Sequence, residues 1–465
     1  MKIQFLGATE YVTGSCYLLT VGKHRILLDC GLIQGGFFDE EKNHQVFAFE
    51  PASIDAVVLS HAHLDHSGRL PLLVKQGFTG PVYTHHATVE LCQIMLEDSG
   101  YLNERSVEWE NRKRERKGLP LLEPLYTQND ARLALDNFNG LEYAKAKELF
   151  PGITVTLFDA GHILGSAIVQ LDLVENNEKR TLVFSGDLGH TGAPILHNPV
   201  VLHHADLVMM ESTYGDRLHR GWQETWQELG EIFLSARNDK GNILIPAFTV
   251  GRTQEILYMF GQYFDEWGLA DWEIFLDSPM AIETNRIYSK YANIYNHKAQ
   301  RRYKDCGNPF DLPNLHLTES TEASMNINKL STGAIIIAGS GMCTGGRIKH
   351  HLKHNLWRKH CHVIFVGFQA RGTLGRSIVD GAEQINLWGE TINVNARIHT
   401  VGGLSAHADQ AGLCNWYQQF TKRPLVKLVH GEPDAQKILA TKLKSDFNAP
   451  VSAAREGETL DLLKL

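Results

Sequence analysis

Nowhere in the chain do apolar residues run uninterrupted for the roughly 18 positions that a membrane-spanning helix requires, so no membrane association is expected. The opening run Met1-Lys2-Ile3-Gln4-Phe5-Leu6-Gly7 enters strand-like sequence at once, without the apolar h-region or cleavage site of a signal peptide. The seven cysteines, at positions 16, 30, 92, 306, 343, 361 and 414, form no C-x-x-C pair. An odd, unpatterned set of this kind fits reduced thiols, and the expected compartment is cytoplasmic. Excess positive charge is also lacking. The net charge of −8 argues mildly against a polynucleotide partner, because phosphate binding is driven by Lys and Arg. Local clusters can override that global balance, and two exist: Arg112 to Lys117 (RKRERK), best read as a solvated helical face, and Arg347 to His360 (RIKHHLKHNLWRKH).

At 465 residues the chain is too long for one ordinary core, so two domains are expected. Its hydrophobic fraction of 43% and charged fraction of 21% are those of a soluble globular protein.

The densest chemistry lies in His61-Ala62-His63-Leu64-Asp65-His66, an H-x-H-x-D-H run that follows the apolar Ala56-Val57-Val58-Leu59-Ser60. The apolar run reads as a buried strand and Ser67-Gly68 permits a turn, so the donors occupy a loop at one strand end. Three imidazoles and a carboxylate crowded together need a shared cation, since otherwise they lose hydration without compensation.

The same pattern recurs. Strand-like runs end at Asp29, which fits a turn residue equally well, and then at His162, Asp187, Glu211 and His430. In layered α/β folds the carboxyl ends of strands share one edge, where ligands bind. His61, His63, Asp65, His66, His162, Asp187 and His430 make seven nitrogen or oxygen donors, too many for one tetrahedral ion and about right for two sharing a carboxylate. The absence of thiolates suits zinc or manganese. Residues 87 to 150 read as mostly helical and charged.

From about residue 216 the texture becomes an alternation of apolar strands and helices, which implies a compact parallel-sheet unit inserted into the first domain. Within it, Ile335 to Ala338 leads through Gly339-Ser340-Gly341-Met342-Cys343-Thr344-Gly345-Gly346 to Arg347 and a helix. Such a turn lets backbone N–H groups face a phosphate. It lacks the Gly-Lys-Ser/Thr of a Walker loop, so nucleotide hydrolysis is not indicated. With Arg347 and Lys349 following, and Arg371 and Arg376 nearby, Ser340, Gly341, Met342, Gly345 and Gly346 form a cradle for a polynucleotide backbone.

These motifs, in this order, resemble the metallo-β-lactamase superfamily and specifically its β-CASP ribonucleases, whose members include the endonuclease subunit of the eukaryotic mRNA 3′-end processing complex and prokaryotic relatives. Asp29, the His61–His66 run, His162 and Asp187 match the four superfamily motifs. Glu211 in Glu-Ser-Thr-Tyr-Gly, His407 in Ser-Ala-His-Ala-Asp and His430 in Val-His-Gly-Glu match motifs A, B and C of β-CASP.

The resemblance implies an α/β fold: a metallo-β-lactamase αββα sandwich formed by residues 1–210 and 391–465, with a Rossmann-like parallel-sheet β-CASP domain inserted as residues 211–390. It implies a ribonuclease that hydrolyses single-stranded RNA, endonucleolytically, by a two-metal hydroxide mechanism. One zinc ion (or manganese) would take His61, His63 and His162, and a second would take Asp65, His66 and His430, with Asp187 bridging. Asp65 counts among the catalytic residues as well as the ligands. Asp29 would orient a ligand, and His407, held by Glu211, would protonate the leaving oxygen. A homodimer is compatible with the same family.

Alternatives of other kinds are a DNA nuclease of the superfamily, disfavoured because such members typically lack His at motif C, and a non-catalytic scaffold, disfavoured because no ligand is missing. About thirty-five residues follow His430, so the extended C-terminal domain of the ribonuclease J type is not expected.

Overall fold

The computed structural model of the protein describes residues 1–35, 37–370 and 372–465. The chain forms two compact units. The first comprises Met1–Thr191, Asn198–Leu218 and His407–Leu465; the second comprises Gly192–His197 and His219–Ala406. Apart from the short excursion Gly192–His197, the chain changes units at 218/219 and 406/407, where the resemblance suggested 210/211 and 390/391.

The first unit is built on two seven-stranded sheets. One runs in the order Thr459–Asp461, Lys2–Phe5, Tyr17–Val21, His24–Leu28, Ala56–Val58, Val82–His85, Phe138–Leu141. The other runs Val451–Ala453, Leu425–Val429, Leu207–Glu211, Glu178–Phe184, Ala167–Glu175, Ile153–Asp159, Lys147–Phe150. Their facing apolar residues form one core, including Ile3, Phe5, Tyr17, Leu28, Val58, Val155, Val169, Leu171 and Phe184. Tyr17 meets Phe5 and Phe184 edge-on, at 5.9 and 5.4 Å between ring centroids. Truncating Phe184 to Ala should therefore cost about 3–5 kcal/mol in denaturant unfolding.

Helices cover both outer faces. Leu70–Lys75, His86–Arg116 and Gln128–Leu135 pack on one another and beside the strands Val82–His85 and Phe138–Leu141. Gln410–Gln418 and Pro433–Phe447 bring Leu413, Trp416, Tyr417, Leu439 and Leu443 against Ile168, Val183, Val208 and Met210 of the second sheet. This is the αββα arrangement that the family resemblance implied.

Strand direction places the site. His24–Leu28, Ala56–Val58 and Val82–His85 are mutually parallel. In the second sheet Glu178–Phe184, Leu207–Glu211 and Leu425–Val429 are parallel. Ile153–Asp159 runs the same way, because it is antiparallel to Ala167–Glu175, which is in turn antiparallel to Glu178–Phe184. Asp29, His61, His162, Asp187, Glu211 and His430 thus all follow or close strands at their carboxyl ends.

Two local expectations change. Residues 87 to 150 are helical only in part, since Phe138–Leu141 and Lys147–Phe150 are edge strands. Their four-residue runs carry little intrinsic signal, and pairing with Val82–His85 and Ile153–Asp159 decides their state. The H-x-H-x-D-H run is also not all loop, because Leu64–Ser67 forms one helical turn that places Asp65 and His66 side by side.

The second unit carries a six-stranded, wholly parallel sheet in the order Leu315–Leu317, Glu273–Leu276, Ala334–Ala338, Ile243–Pro246, His362–Phe365, Arg397–Thr400. Ala334–Ala338 is buried throughout, as expected of an all-apolar run (AIIIA) with neighbours on both sides. The Gly-rich turn leaves its carboxyl end.

Candidate metal centre

His61 Nε2 lies 3.1 Å from His63 Nδ1, which lies 3.2 Å from His162 Nε2. Asp187 Oδ2 closes the group at 3.4 Å from His61 Nε2 and 3.6 Å from His162 Nε2. A tetrahedral ion with bonds of about 2.0–2.1 Å sets its ligand atoms roughly 3.3–3.4 Å apart, so the four atoms are spaced as such an ion requires. Two imidazole nitrogens face to face at 3.1 Å otherwise repel, unless one carries a proton toward the other.

A second group adjoins the first. His66 Nε2 and His430 Nε2 are 3.1 Å apart, and Asp65 Oδ2 lies 3.4 Å from the latter and 3.8 Å from the former. Asp187 Oδ2 is 3.3 Å from His66 Nε2, so one carboxylate oxygen serves both groups. Its Oδ1 is buried, 3.5 Å from His430 Nδ1, and makes no hydrogen bond among the described residues. A desolvated carboxylate among imidazoles favours a cation nearby. The donor sets thus fit divalent cations in chemistry and in spacing.

Buried polar residues hold these donors in place. Asp29 accepts from Ser60 N at 2.7 Å, Ser60 Oγ at 2.9 Å and Ser15 Oγ at 3.1 Å, and it faces His66 Nδ1 at 2.7 Å. His430 Nδ1 sits 3.2 Å from Thr213 Oγ1. Leu188 N donates to Glu211 Oε1 at 2.6 Å, and His407 Nδ1 lies 3.3 Å from Glu211 Oε2. His407 Nδ1 is also 3.9 Å from Asp187 Oδ2, and its ring is 4.5 Å from that of His162. Ala408 N donates to Leu188 O at 2.7 Å, which fastens His407 to the loop carrying Asp187. Glu211 is near enough to Asp187 and His430 to form a third group of metal-capable side chains with them.

The electrostatics separate two kinds of imidazole. Burial pushes His61 well below the usual histidine range and His63 down to about 4, leaving both neutral with lone pairs available. At His66 burial acts the same way but is outweighed by Asp187, Asp65 and Asp29, which hold that ring well above the usual range. At His407 burial is outweighed by Glu211 and Asp187, which lift it to about 9. Burial opposes ionisation of Asp65, yet His66 and His430 draw it down to about 2.

All seven expected donors, with Asp29, Glu211 and His407, therefore meet in the first unit. Sequence reasoning passed over Ser15, Ser60 and Thr213; Ser60 alone has a signal, its place at a strand end beside His61, whereas the sequence around Ser15 and Thr213 offers none. It also passed over two glycines: a Cβ on Gly31 would stand 1.6 Å from Asp65 O, and one on Gly189 would stand 2.0 Å from Gly161 O.

The Gly-rich turn belongs to the second unit. Ser340 N donates to Gly345 O and Gly345 N to Ser340 Oγ, each at 3.2 Å. The N–H groups of Gly341, Met342, Thr344 and Gly346 make no hydrogen bond among the described residues. Arg347 does not point outward as a cradle residue would: its guanidinium donates to Asp277 Oδ1 at 2.7 Å and to the carbonyls of Thr318 and Glu319. Arg376 is paired with Asp380, Lys349 lies beside Trp388, and Arg371 lies outside the described residues.

Three family descriptions match the chain: the metallo-beta-lactamase superfamily over residues 10–247, the Beta-Casp domain over 253–378, and the Zn-dependent metallo-hydrolase RNA specificity domain over 391–454. A curated relative, Ribonuclease TTHA0252 of Thermus thermophilus, is 41% identical over 98% of this chain and 99% of its own. This chain belongs to the β-CASP ribonuclease family of metallo-β-lactamase-fold hydrolases. A further curated relative, the transcription termination factor FttA of Pyrococcus abyssi, is 30% identical over 99% of this chain and 71% of its own. A solved structure, of a protein of unknown function from Enterococcus faecalis, shares the fold at a TM-score of 0.57 and 14% identity, covering 99% of each chain. No described helix of this β-CASP chain is long and apolar enough to cross a membrane.

Proposed function

We propose that this chain hydrolyses phosphodiester bonds of single-stranded RNA, endonucleolytically and in the cytoplasm, with two zinc or manganese ions held by the donors described above. The carrying observation is Asp187 Oδ2, which lies between His61 Nε2 at 3.4 Å and His66 Nε2 at 3.3 Å and so supports a shared carboxylate between two sites. His61, His63 and His162 would hold one ion, and Asp65, His66 and His430 the other. Two such ions supply a water of lowered pKa and neutralise charge on the phosphate oxygens.

The chain's own residues do the rest. Asp29 turns His66 so that Nε2 faces the second site. His407, kept protonated by Glu211, stands as the proton donor to the departing ribose oxygen. RNA is supported as the substrate by the Thermus relative, a ribonuclease, and by the match to an RNA specificity domain over 391–454. In the second unit, the unpaired N–H groups of the Gly-rich turn suit phosphate, with Arg347 holding the turn rather than gripping the strand.

The test offers labelled single-stranded RNA and DNA of one sequence to the wild type and to Asp65→Ala, and sizes the products. RNA cut internally by the wild type, with loss of cutting in the variant, is expected. Undiminished cleavage by Asp65→Ala would overturn the two-metal reading, and equal cleavage of DNA would overturn the substrate.

A further inference from the structure

In the second unit the strands Gln384–Leu387 and Glu390–Asn393 form a hairpin in which Leu387 pairs with Glu390, so Trp388-Gly389 is its entire loop. Both loop residues have positive φ, 52° and 86°. Asn-Gly fills that two-residue geometry readily, whereas a bulky side chain at φ > 0 is strained. Trp388 adds nothing to the buried core, since it is 57% exposed. A local rule broken with no gain in the core points to a role outside the fold.

The surroundings of the ring indicate which role. His350 stacks on Trp388 at 4.5 Å between centroids, with 29° between planes, and Lys349 Nζ lies 5.2 Å from the ring centre. Both residues belong to the helix Ile348–Asn355, whose outward side also carries Lys353 and His354. Lys353 pairs with Glu390 at 2.5 Å, which joins the helix to the hairpin. Leu356 keeps helical backbone, and Trp357, 55% exposed, follows His350 by seven residues, close to two helical turns. Burial and the neighbouring cations lower His350 and His354, so both present neutral flat rings at pH 7.

We propose that Trp388, His350, Lys349, Lys353, His354 and Trp357 form a stacking surface for single-stranded RNA, with bases on the indole rings and phosphates on the lysines. Aromatic faces interleaved with cations are what sequence-tolerant single-strand binding uses. An apolar protein partner would instead require a contiguous apolar patch. The inference rests on the ribonuclease reading for its choice of ligand and adds a holding surface made of residues outside the metal-donor set.

The experiment uses the full chain carrying Asp65→Ala, so that the probe survives, and a fluorescein-labelled 20-nucleotide single-stranded RNA read by anisotropy. W388N is added to that background. Because Asn-Gly suits the turn, the double variant should melt no lower than Asp65→Ala alone. Its affinity should fall about five- to hundred-fold, the range for losing one stacked base. Affinity unchanged by W388N overturns the proposal, as does failure of Asp65→Ala to bind the probe at all. Cleavage is scored separately on the chain with Asp65 intact. Binding through Trp388 without cleavage defeats the ribonuclease reading alone, whereas cleavage with binding indifferent to Trp388 defeats the stacking surface alone.

Discussion

His66 Nδ1 and Asp29 Oδ2 stand 2.7 Å apart, and a carboxylate can only accept, so Nδ1 is the donor and Nε2 is left facing His430. Changing Asp29 to Asn keeps the shape but offers an amide N–H to Nδ1, which favours the opposite tautomer. The second site should then bind its ion about 10- to 100-fold more weakly in a metal titration. An unchanged affinity would show that Asp29 serves only the turn at its φ of 59°.

His407→Ala should retain both ions and lose roughly 10²- to 10⁴-fold in cleavage rate. Metal loss in that variant would make His407 a ligand instead. The protonated ring is the active form, so the rate should fall as pH rises through its pKa of about 9, or lower once cations surround Asp187. Glu211→Gln removes a carboxylate that raises that value and should move the alkaline limb to lower pH in a pH–rate profile.

Ion binding should expel a proton from His66. The metal-free centre holds that ring charged, while His61 and His63 are already neutral at pH 7. Affinity therefore falls as pH falls, and titration in weak buffer at pH 7 should show proton release. Binding with no release would contradict a charged His66.

Gly31→Ala and Gly189→Ala replace no donor side chain yet should lower metal content, because the added methyl meets the backbone of Asp65 in one case and of Gly161 and His162 in the other. Displacing backbone in a packed site costs about 1–3 kcal/mol, readable as a lower melting temperature. Gly402→Ala, with nothing within 4 Å of its new methyl, serves as the tolerated control.

The residues proposed as donors could be picked out in the sequence because they lie within a few positions of the ends of apolar runs, a clustering that burial alone does not produce. The two sheets were less so. Ala167–Glu175 alternates apolar and polar residues and turns at Asn176-Asn177, both left-handed, so a stricter count of period two would have found it. Phe138–Leu141 could not be found that way, since its partner strand decides its state. Arg347 shows a different limit: a basic run reports charge but not direction, and the buried carboxylate of Asp277 has turned this guanidinium inward.

The pairing of Leu425–Val429 with Leu207–Glu211 has a consequence in time. On a translating ribosome, His61 through Asp187 emerge early, and the whole second unit must follow before Val429 can lie beside Glu211 and deliver His430. Until then the second donor set lacks His430, and His407, the proposed proton donor, has not been made. On the proposed reading, the chain is expected to be inert toward RNA while its own message is still being read. A nascent chain stalled before residue 407 that cuts RNA would contradict this order of events.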